Sequence, residues 1–280
     1  MTDYSNINIL STFNDEDIKY PIILSIPHSG TLFPAGFEDK TILSVNELRT
    51  SEDPFVDELL QPLINQGFTA LKLNISRSII DVNRDKLEID KHMFFDYPQE
   101  EVDLNSRRSR LGHGVIPRIN SENKSIYKDK ISYNDALTRI EKIYNPYHAK
   151  LSELINKTKD KFGWCLVLDM HSMPSKVCNI MIDEKQVDFC VSTLFEQSAP
   201  KEIWETFGSQ LSLFDYRVEY NRPYSGGFIT FNYCQPKDKV HTMQLEINRS
   251  LYIDEKSFEK KPTFETLKEH LTQSVLGLLK

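Results

Sequence analysis

Two histidines lie in the same kind of sequence context, at the end of an apolar run. His28 lies in PIILSIPHSG, and His171 lies in WCLVLDMHSMP. Each run is typical of a buried strand, and Pro27 and Pro174 end the two strands because proline has no amide hydrogen to donate. If the strands are parallel members of one sheet, both histidines lie at its carboxyl edge, where open α/β sheets bind ligands. A lone histidine is usually a hydrogen-bonded loop residue, but two at one crevice predict a metal site.

A carboxylate near these histidines would complete a common type of metal site. A catalytic zinc usually has three protein ligands and keeps one position for water. The stretch TSEDPFVDELL supplies Glu52 and Asp53 directly before Pro54, at the predicted start of a helix with an apolar stripe. Acids at this position also favour the N-terminus of a helix electrostatically, without binding any ligand. The sequence leaves both interpretations open, and it does not decide which of the two acids is the ligand.

Arginines cluster in a third segment, LKLNISRSIIDVNRD, which contains Arg77, Asn83 and Arg84. A planar guanidinium group can hold a carboxylate in two hydrogen bonds, although arginines beside a strand end also form ordinary surface ion pairs. Farther along, YNRPYSGGFIT supplies Arg222 and Tyr224 before two glycines that let the backbone approach a ligand closely. These segments indicate a small-molecule ligand that carries negative charge.

The stretch VHTMQLEINRSLY alternates apolar and polar side chains, which is typical of a strand. Gln244 and Glu246 fall on its polar face. An exposed polar face explains this pattern without any function, but a glutamate near a metal can be the general base that takes a proton from water. His148 lies beside the apolar stripe of a predicted helix, and for this histidine we favour a structural role.

The remaining pattern predicts the elements that position these residues. Short apolar runs alternate with segments of helical period, which predicts an α/β fold with strands covered on both faces. The clearest predicted helix covers residues 132–162, where Ser132 and Asp135 resemble a capping box and Pro146 should kink or split the helix. Residues 85–123 are rich in charge and lack periodicity, so they predict a long excursion of the kind that is often functional.

The composition favours one large domain, with 280 residues of which 39% are hydrophobic, although two smaller domains would also fit. The net charge of −7 disfavours nucleic acid and anionic membranes as partners, because both attract basic surfaces. The apolar runs are too short to cross a bilayer, and the N-terminus lacks the pattern of a signal peptide. We therefore expect a soluble cytoplasmic protein. Its four cysteines have no CxxC spacing and predict buried free thiols.

Seven stretches, taken in order, resemble the N-formylglutamate amidohydrolase family, also called formylglutamate deformylases. They span most of residues 20–255 and read SIPHSG, SEDPFVDEL, SRSIIDVNRD, NPYHAKL, LVLDMHSMPS, NRPYSGGFIT and QLEINRSLY. The family is similar to the zinc carboxypeptidases and aspartoacylase. The resemblance implies a single domain over residues 1–280, with a central mixed, mostly parallel sheet of eight strands flanked by helices, and one zinc ion.

The resemblance also implies roles for individual residues. His28 and His171 would be zinc ligands, Asp53 or Glu52 would be the third, and Glu246 would be the general base. The remaining roles concern the substrate: Arg84 or Arg77 would stabilise the oxyanion, and the substrate-binding residues would be Arg77, Asn83, Arg222 and Tyr224. The aspartoacylase-like pattern has its acid ligand three residues after the first histidine, where this chain has Thr31. The carboxylate must therefore come from elsewhere in the chain.

The activity implied by the resemblance is hydrolysis of the amide bond of an N-formyl amino acid, foremost N-formyl-L-glutamate, to the amino acid and formate. One alternative is an enzyme of the same fold that acts on another N-acyl amino acid or a short peptide. Another is a metal-dependent binding protein without turnover, which the retention of Glu246 disfavours because a pure binder has no use for a base. Homo-oligomerisation is left open by the sequence.

Overall fold

A seven-stranded sheet is the main element of the fold. The computed structural model describes Tyr4, residues 7–99, Leu104, residues 106–178 and residues 186–279. The strands are β1 (Leu10–Phe13), β2 (Ile22–Ile26), β3 (Thr69–Leu73), β4 (Cys165–Met173), β5 (Phe189–Ser192), β6 (Val218–Tyr220) and β7 (Val240–Asn248). Their order across the sheet is β1-β3-β2-β4-β7-β5-β6. The predicted α/β class is confirmed, but the sheet has seven strands among the described residues, whereas the resemblance implied eight.

The strand pairs around the centre of the sheet are mostly parallel. Strand β2 pairs in parallel with β4, β4 with β7, and β5 with β6, whereas β5 and β7 are antiparallel. Among these pairs the sheet is mixed and mostly parallel, as the resemblance implied. In the resulting register Ser25 lies opposite Asp169, and His171 lies opposite Glu246. The apolar runs that precede His28 and His171 thus form β2 and β4, which are parallel neighbours in the sheet.

The alternation of side chains along the strands separates an apolar face from a polar one. Leu24, Leu168 and Leu245 belong to one buried apolar cluster. Asp169 and Glu246 point to the opposite face, because successive residues of a strand alternate. Both faces are nevertheless buried, with Asp169 0% and Glu246 8% exposed. Polar side chains at this depth need hydrogen-bond partners, and a buried polar face of this kind is typical of a functional site.

Helices cover the apolar face of the sheet, and four of them contribute side chains to its buried cluster: Val56–Leu59, Gln61–Asn65, Lys201–Ser212 and Phe264–Gly277. The helices are α1 (Val45–Arg49), α2 (Val56–Leu59), α3 (Gln61–Asn65), α4 (Arg107–Arg110), α5 (Tyr133–Arg139), α6 (Asn145–Phe162), α7 (Ser175–Cys178), α8 (Lys201–Ser212), α9 (Phe228–Asn232) and α10 (Phe264–Gly277). Short 3-10 helices lie at Lys91–Met93, Pro236–Asp238 and Arg249–Leu251, and a π-helix lies at Ile140–Tyr144. The packing of α2 and α3 confirms the predicted apolar stripe after Pro54.

The chain forms two compact units. The first comprises residues 1–11, 27–52 and 72–151, and the second comprises residues 12–26, 53–71 and 152–280. The second unit holds the buried cluster described above. The first contains the segment 85–123, which has little regular structure, as predicted, although residues 100–103 and 105 lie outside the described part. The single domain over residues 1–280 stays a prediction.

The predicted helix over residues 132–162 forms, but in three pieces. Ser132 is the N-cap of α5, and its Oγ accepts from the amide of Asn134 at 3.2 Å. The capping box with Asp135 is not made, because the Asp135 carboxylate accepts from Lys40 Nζ and Arg139 Nη2 instead. Just before Pro146 the chain forms a π-helix and then continues directly as α6. The predicted disruption at this proline is therefore a change of helical pitch, and the helix does not end.

Two further expectations concern composition. Within the described residues, no helix combines the length and the apolar character that crossing a membrane requires.

Cys165, Cys178 and Cys190 are buried, Cys234 is half-buried, and all four are free thiols. The prediction of free cysteines is confirmed, and burial raises the pKa of Cys165 and of Cys178 to about 12. Such thiols stay protonated near neutral pH and are poor nucleophiles.

Candidate metal and catalytic site

In the second unit, His171 lies between two aspartates near the carboxyl end of β4. Its Nδ1 is 3.0 Å from Asp53 Oδ2, and its Nε2 donates to Asp169 Oδ2 at 2.8 Å. Asp169 also accepts from Ser25 Oγ on the neighbouring strand β2, at 2.7 Å. All four side chains are buried. Because water does not solvate them there, their geometry depends on these contacts.

Asp53 is held from its other side by Arg249. Arg249 Nη2 donates to Asp53 Oδ1 at 3.0 Å, and Arg249 Nε donates to Ser172 Oγ at 3.0 Å. Phe55 separates Asp53 from α2 with a left-handed backbone, φ 60°, and α2 begins only at Val56. Asp53 therefore lies outside the first helical turn, which weakens the purely electrostatic explanation for it. Arg249 thus pairs with one carboxylate oxygen of Asp53, while the other oxygen, Oδ2, lies against His171.

Glu246 lies on β7 in register with His171 on β4. Its Oε1 accepts a hydrogen bond from Gln244 Nε2 at 2.8 Å, and its side chain is buried on the polar face. The predicted alternation of β7 is confirmed, because Met243 and Leu245 belong to the apolar cluster on the other face. The alternative of a solvent-exposed polar face is wrong, since Gln244 is only 4% exposed.

Negative charge accumulates around His171. Burial by itself lowers the pKa of this histidine, but Asp169, Asp53 and Glu246 together raise it well above the ordinary value of 6.5. Arg249 compensates part of this charge through Asp53. A proton on the His171 ring or a metal ion would compensate the rest. The charge distribution in the second unit therefore suits a metal ligand at His171.

In the first unit, His28 has a buried carboxylate partner of its own. Its Nε2 donates to Asp81 Oδ1 at 2.8 Å. Arg77 Nε and Nη2 lie 3.0 Å and 2.9 Å from Asp81 Oδ2, and Arg84 Nε lies 3.7 Å from the same oxygen. Burial would raise the pKa of Asp81, but Arg77, Arg84 and His28 hold it well below its ordinary value. Asp81 is therefore a stable anion that orients the His28 ring.

Glu52, the neighbour of Asp53 in the sequence, has different contacts. Its Oε1 accepts from Ser76 Oγ at 2.7 Å, and its Oε2 accepts from Arg49 Nε at 3.1 Å. The residue is fully buried, with 0% exposure. Both carboxylate oxygens are thus engaged by side chains of the first unit, a pattern typical of a structural ion pair.

The donor chemistry of three buried residues fits a divalent metal ion. His28, Asp53 and His171 each offer one ligand atom, an imidazole nitrogen or a carboxylate oxygen. His28 Nε2 donates to Asp81 and His171 Nε2 donates to Asp169, and both acceptors are carboxylates. His171 Nδ1 faces Asp53, which is itself one of the three potential ligands. Metal-binding histidines usually donate their second ring nitrogen to a carboxylate in this way. These residues therefore suggest a metal.

Arg84 is anchored in the first unit by backbone carbonyls. Its Nε donates to His113 O at 3.1 Å and its Nη1 donates to Asn83 O at 2.9 Å. Burial lowers the pKa of His113, and the positive charges of Arg77 and Arg84 lower it further. The surroundings of Arg84 thus favour an anion.

The π-helix supports the segment that carries Arg84. Tyr144, at the end of the π-helix, donates from its hydroxyl to Arg84 O at 3.0 Å. His148, one turn later, donates from Nε2 to Val82 O at 2.9 Å, and its ring packs against Tyr144 at a tilt of 42° with ring centroids 4.1 Å apart. This agrees with the structural role favoured for His148. Tyr144 and His148 therefore position Asn83 and Arg84 by holding the carbonyls of Val82 and Arg84, on either side of Asn83.

The other predicted substrate-binding residues lie in the second unit. Arg222 is exposed, and Tyr224 is 38% exposed. The Tyr224 carbonyl accepts from Ser192 Oγ at 2.7 Å, which ties this loop to β5. Both side chains are accessible to a ligand, and their part in binding a substrate stays a prediction.

A model of the N-formylglutamate amidohydrolase family matches residues 20–253. The chain belongs to this family. Membership confirms the predicted resemblance and makes the chain an enzyme, an amidohydrolase acting on a linear amide. The seven stretches that carry the resemblance fall within or overlap the matched range.

Individual members of the family are similar to this chain over most of their length. The N-formylglutamate deformylase of Pseudomonas aeruginosa is 26% identical over 243 residues, which cover 85% of this chain and 84% of that protein. The N-formylglutamate deformylase of Pseudomonas putida is 25% identical over 240 residues, which cover 85% and 83%. The crystal structure of N-formylglutamate amidohydrolase from Ralstonia eutropha JMP134 superposes with a TM-score of 0.89 at 28% identity, covering 98% of this chain and 97% of that one.

Three contacts in this amidohydrolase were not foreseen from the sequence. They are the bond of Asp81 to His28, the bond of Arg249 to Asp53 and the bond of Gln244 to Glu246. Each of these partners lies within a stretch that resembles the N-formylglutamate amidohydrolases. Their position in those stretches indicates a functional role, but the residue types alone do not show which neighbour each one binds.

Proposed function

We propose that this chain is a zinc-dependent deformylase that hydrolyses N-formyl-L-glutamate to glutamate and formate. One observation carries the chemical part of the proposal: a buried glutamate, Glu246, lies in register with His171, whose other ring contacts are carboxylates. That combination of a potential metal ligand with a potential general base suits amide hydrolysis. The names of the two Pseudomonas relatives support the substrate.

The zinc ligands in this proposal are His28, Asp53 and His171, with Glu52 excluded because Ser76 and Arg49 engage its carboxylate. Two imidazoles and one carboxylate are a common ligand set of catalytic zinc. When bound, zinc supplies Lewis-acid chemistry, polarising the amide carbonyl and the attacking water.

The residues of the chain carry out the proton transfers and hold the substrate. Glu246 takes a proton from the attacking water and later delivers it to the departing amine nitrogen, so one carboxylate serves as base and then as acid. Arg84 donates from its guanidinium group to the oxygen that becomes negative as water adds to the formyl carbon. Arg77 and Asn83 lie beside Arg84 and contribute to holding the α-carboxylate.

The second carboxylate of N-formyl-L-glutamate needs a further partner. Arg222 and Tyr224 are accessible and lie in a loop tied to β5, which makes them the candidates for this contact. A guanidinium group that binds a carboxylate discriminates between acidic and neutral side chains. We assign selectivity for glutamate to this loop.

A substrate panel with a metal assay tests the proposed function. We expect elemental analysis to find one zinc ion per chain, and formate release to be fastest with N-formyl-L-glutamate. N-formyl-L-leucine should be worse in kcat/KM by roughly 10- to 100-fold, the effect of losing a charged hydrogen bond. A chelator should abolish turnover, and added zinc should restore it. Full activity in metal-free protein would contradict the metal, and faster hydrolysis of N-acetyl-L-glutamate would contradict the formyl group.

Replacing Tyr144 with phenylalanine should lower kcat by roughly 2- to 10-fold, because it removes one hydrogen bond that holds the Arg84 segment. The measurement is kcat for N-formyl-L-glutamate in a double-mutant cycle with Arg84→Ala. If Tyr144 acts through Arg84, the effect of Y144F should largely vanish in the Arg84→Ala background.

Tyr220→Phe, the same chemical change on β6 of the second unit, is the matched control and should leave kcat near the wild-type value. Additive effects of Tyr144→Phe and Arg84→Ala would show that the tyrosine contributes stability without positioning the arginine.

A further inference from the structure

Gln244 has one satisfied and one unsatisfied end. Its Nε2 donates to Glu246 Oε1 at 2.8 Å. Its Oε1 is buried and has no hydrogen-bond partner in the described part of the chain. The side chain is 4% exposed. An acceptor left unpaired at this depth is destabilising, so its presence beside the proposed base calls for an explanation.

Rotating the amide by 180° does not remove the unsatisfied atom. It would place Oε1 against the Glu246 carboxylate, where two acceptors repel each other, and it would leave the Nε2 donor unpaired instead. The hydrogen bond to Glu246 therefore fixes which atom faces away. That atom is an acceptor, so the missing partner is a donor.

The neighbouring strands supply no such donor. Gln244 lies opposite Asp169 on β4 and opposite Ser192 on β5. The Asp169 carboxylate already accepts from His171 and Ser25 and is itself an acceptor. The Ser192 hydroxyl donates to Tyr224 O at 2.7 Å, so its proton is used. Since no described residue donates to Gln244 Oε1, a molecule that enters the site can supply the donor.

We propose that Gln244 is a substrate-binding residue whose Oε1 accepts the N–H of the scissile amide. This inference rests on the proposed function and adds a specificity determinant to it. The N–H stays on its nitrogen throughout the reaction, and the second amine proton comes from Glu246. Gln244 thus uses its Nε2 to orient the base and its Oε1 to orient the bond that the base helps to break.

The proposal predicts selectivity for secondary over tertiary amides. N-formyl-N-methyl-L-glutamate has the same two carboxylates and the same formyl group but no amide hydrogen. In the wild-type enzyme this tertiary amide leaves Gln244 Oε1 unpaired. Loss of that hydrogen bond should make its kcat/KM lower than that of N-formyl-L-glutamate by about 5- to 100-fold. Any steric effect of the methyl group adds to this ratio.

Comparing the two substrates in Gln244→Leu and Gln244→Met isolates the acceptor. Loss of the Nε2 contact with Glu246 slows both substrates alike, whereas loss of Oε1 affects only the substrate that has an N–H. The preference for the secondary amide should therefore fall at least about 5-fold in both variants. Gln273→Leu, which removes a glutamine that donates from Nε2 to Glu269 on α10, is the matched control and should keep the wild-type preference. Two variants of similar volume guard against a folding defect in one, and thermal melting checks each.

Three outcomes decide the matter. A reduced preference in the folded variants supports the contact. An unchanged preference in folded Gln244→Leu and Gln244→Met overturns this inference alone. Absence of formate release from N-formyl-L-glutamate by the wild-type enzyme overturns the proposed function and this inference with it.

Discussion

Replacing Glu246 with glutamine should lower the turnover of N-formyl-L-glutamate by roughly 10²–10⁴-fold, the range expected for loss of a general base. Glutamine keeps the shape of the side chain, and its Oε1 can still accept from Gln244 Nε2. It cannot take a proton from water at neutral pH. Metal content and substrate affinity should therefore change little while kcat falls.

Single-turnover kinetics, calorimetry with substrate and elemental analysis together check this prediction. Glu255→Gln is a matched control, because the Glu255 carboxylate accepts from the Ser175 amide and has no assigned part in the chemistry. Near wild-type turnover of Glu246→Gln with zinc in place would show that Glu246 is not the base. Asp169, which lies opposite Gln244 in the sheet, would then be the next carboxylate to test.

Replacing His28 with alanine should remove the metal and the activity together. Loss of one of three ligands should weaken metal affinity by more than the roughly 10- to 100-fold typical of losing an outer-shell partner. Elemental analysis after dialysis and titration of the metal-free protein with zinc measure the effect. His270→Ala, the same change at a histidine that is hydrogen-bonded to Tyr216 in the second unit, should keep the zinc of the protein.

The two adjacent acids extend the same experiment. Asp53→Ala should lose zinc as His28→Ala does, whereas Glu52→Ala should keep zinc affinity and lose thermal stability, because Arg49 and Ser76 lose a buried partner. Full zinc occupancy in His28→Ala would remove His28 from the ligand set. Zinc loss confined to Glu52→Ala would exchange the roles proposed for Glu52 and Asp53.

The sequence by itself determined the class of the fold, the family and the strands that carry the candidate site residues. Strands β2, β4 and β7 follow from apolar runs and from alternation, because the side-chain period of a strand is a local property of the chain. Local patterns also made His171 and Glu246 candidates for the site, because the type of a residue already limits the chemistry that it can perform.

Only the tertiary structure decided which partner each of these side chains binds. Glu52 and Asp53 are adjacent acids that the sequence did not distinguish, yet one accepts from Arg49 and Ser76 and the other lies against His171. Arg249 reaches Asp53 across 196 residues of chain. Hydrogen-bond partners are set by strand register and by burial, which bring distant residues together, whereas propensity and periodicity describe only the nearest few positions.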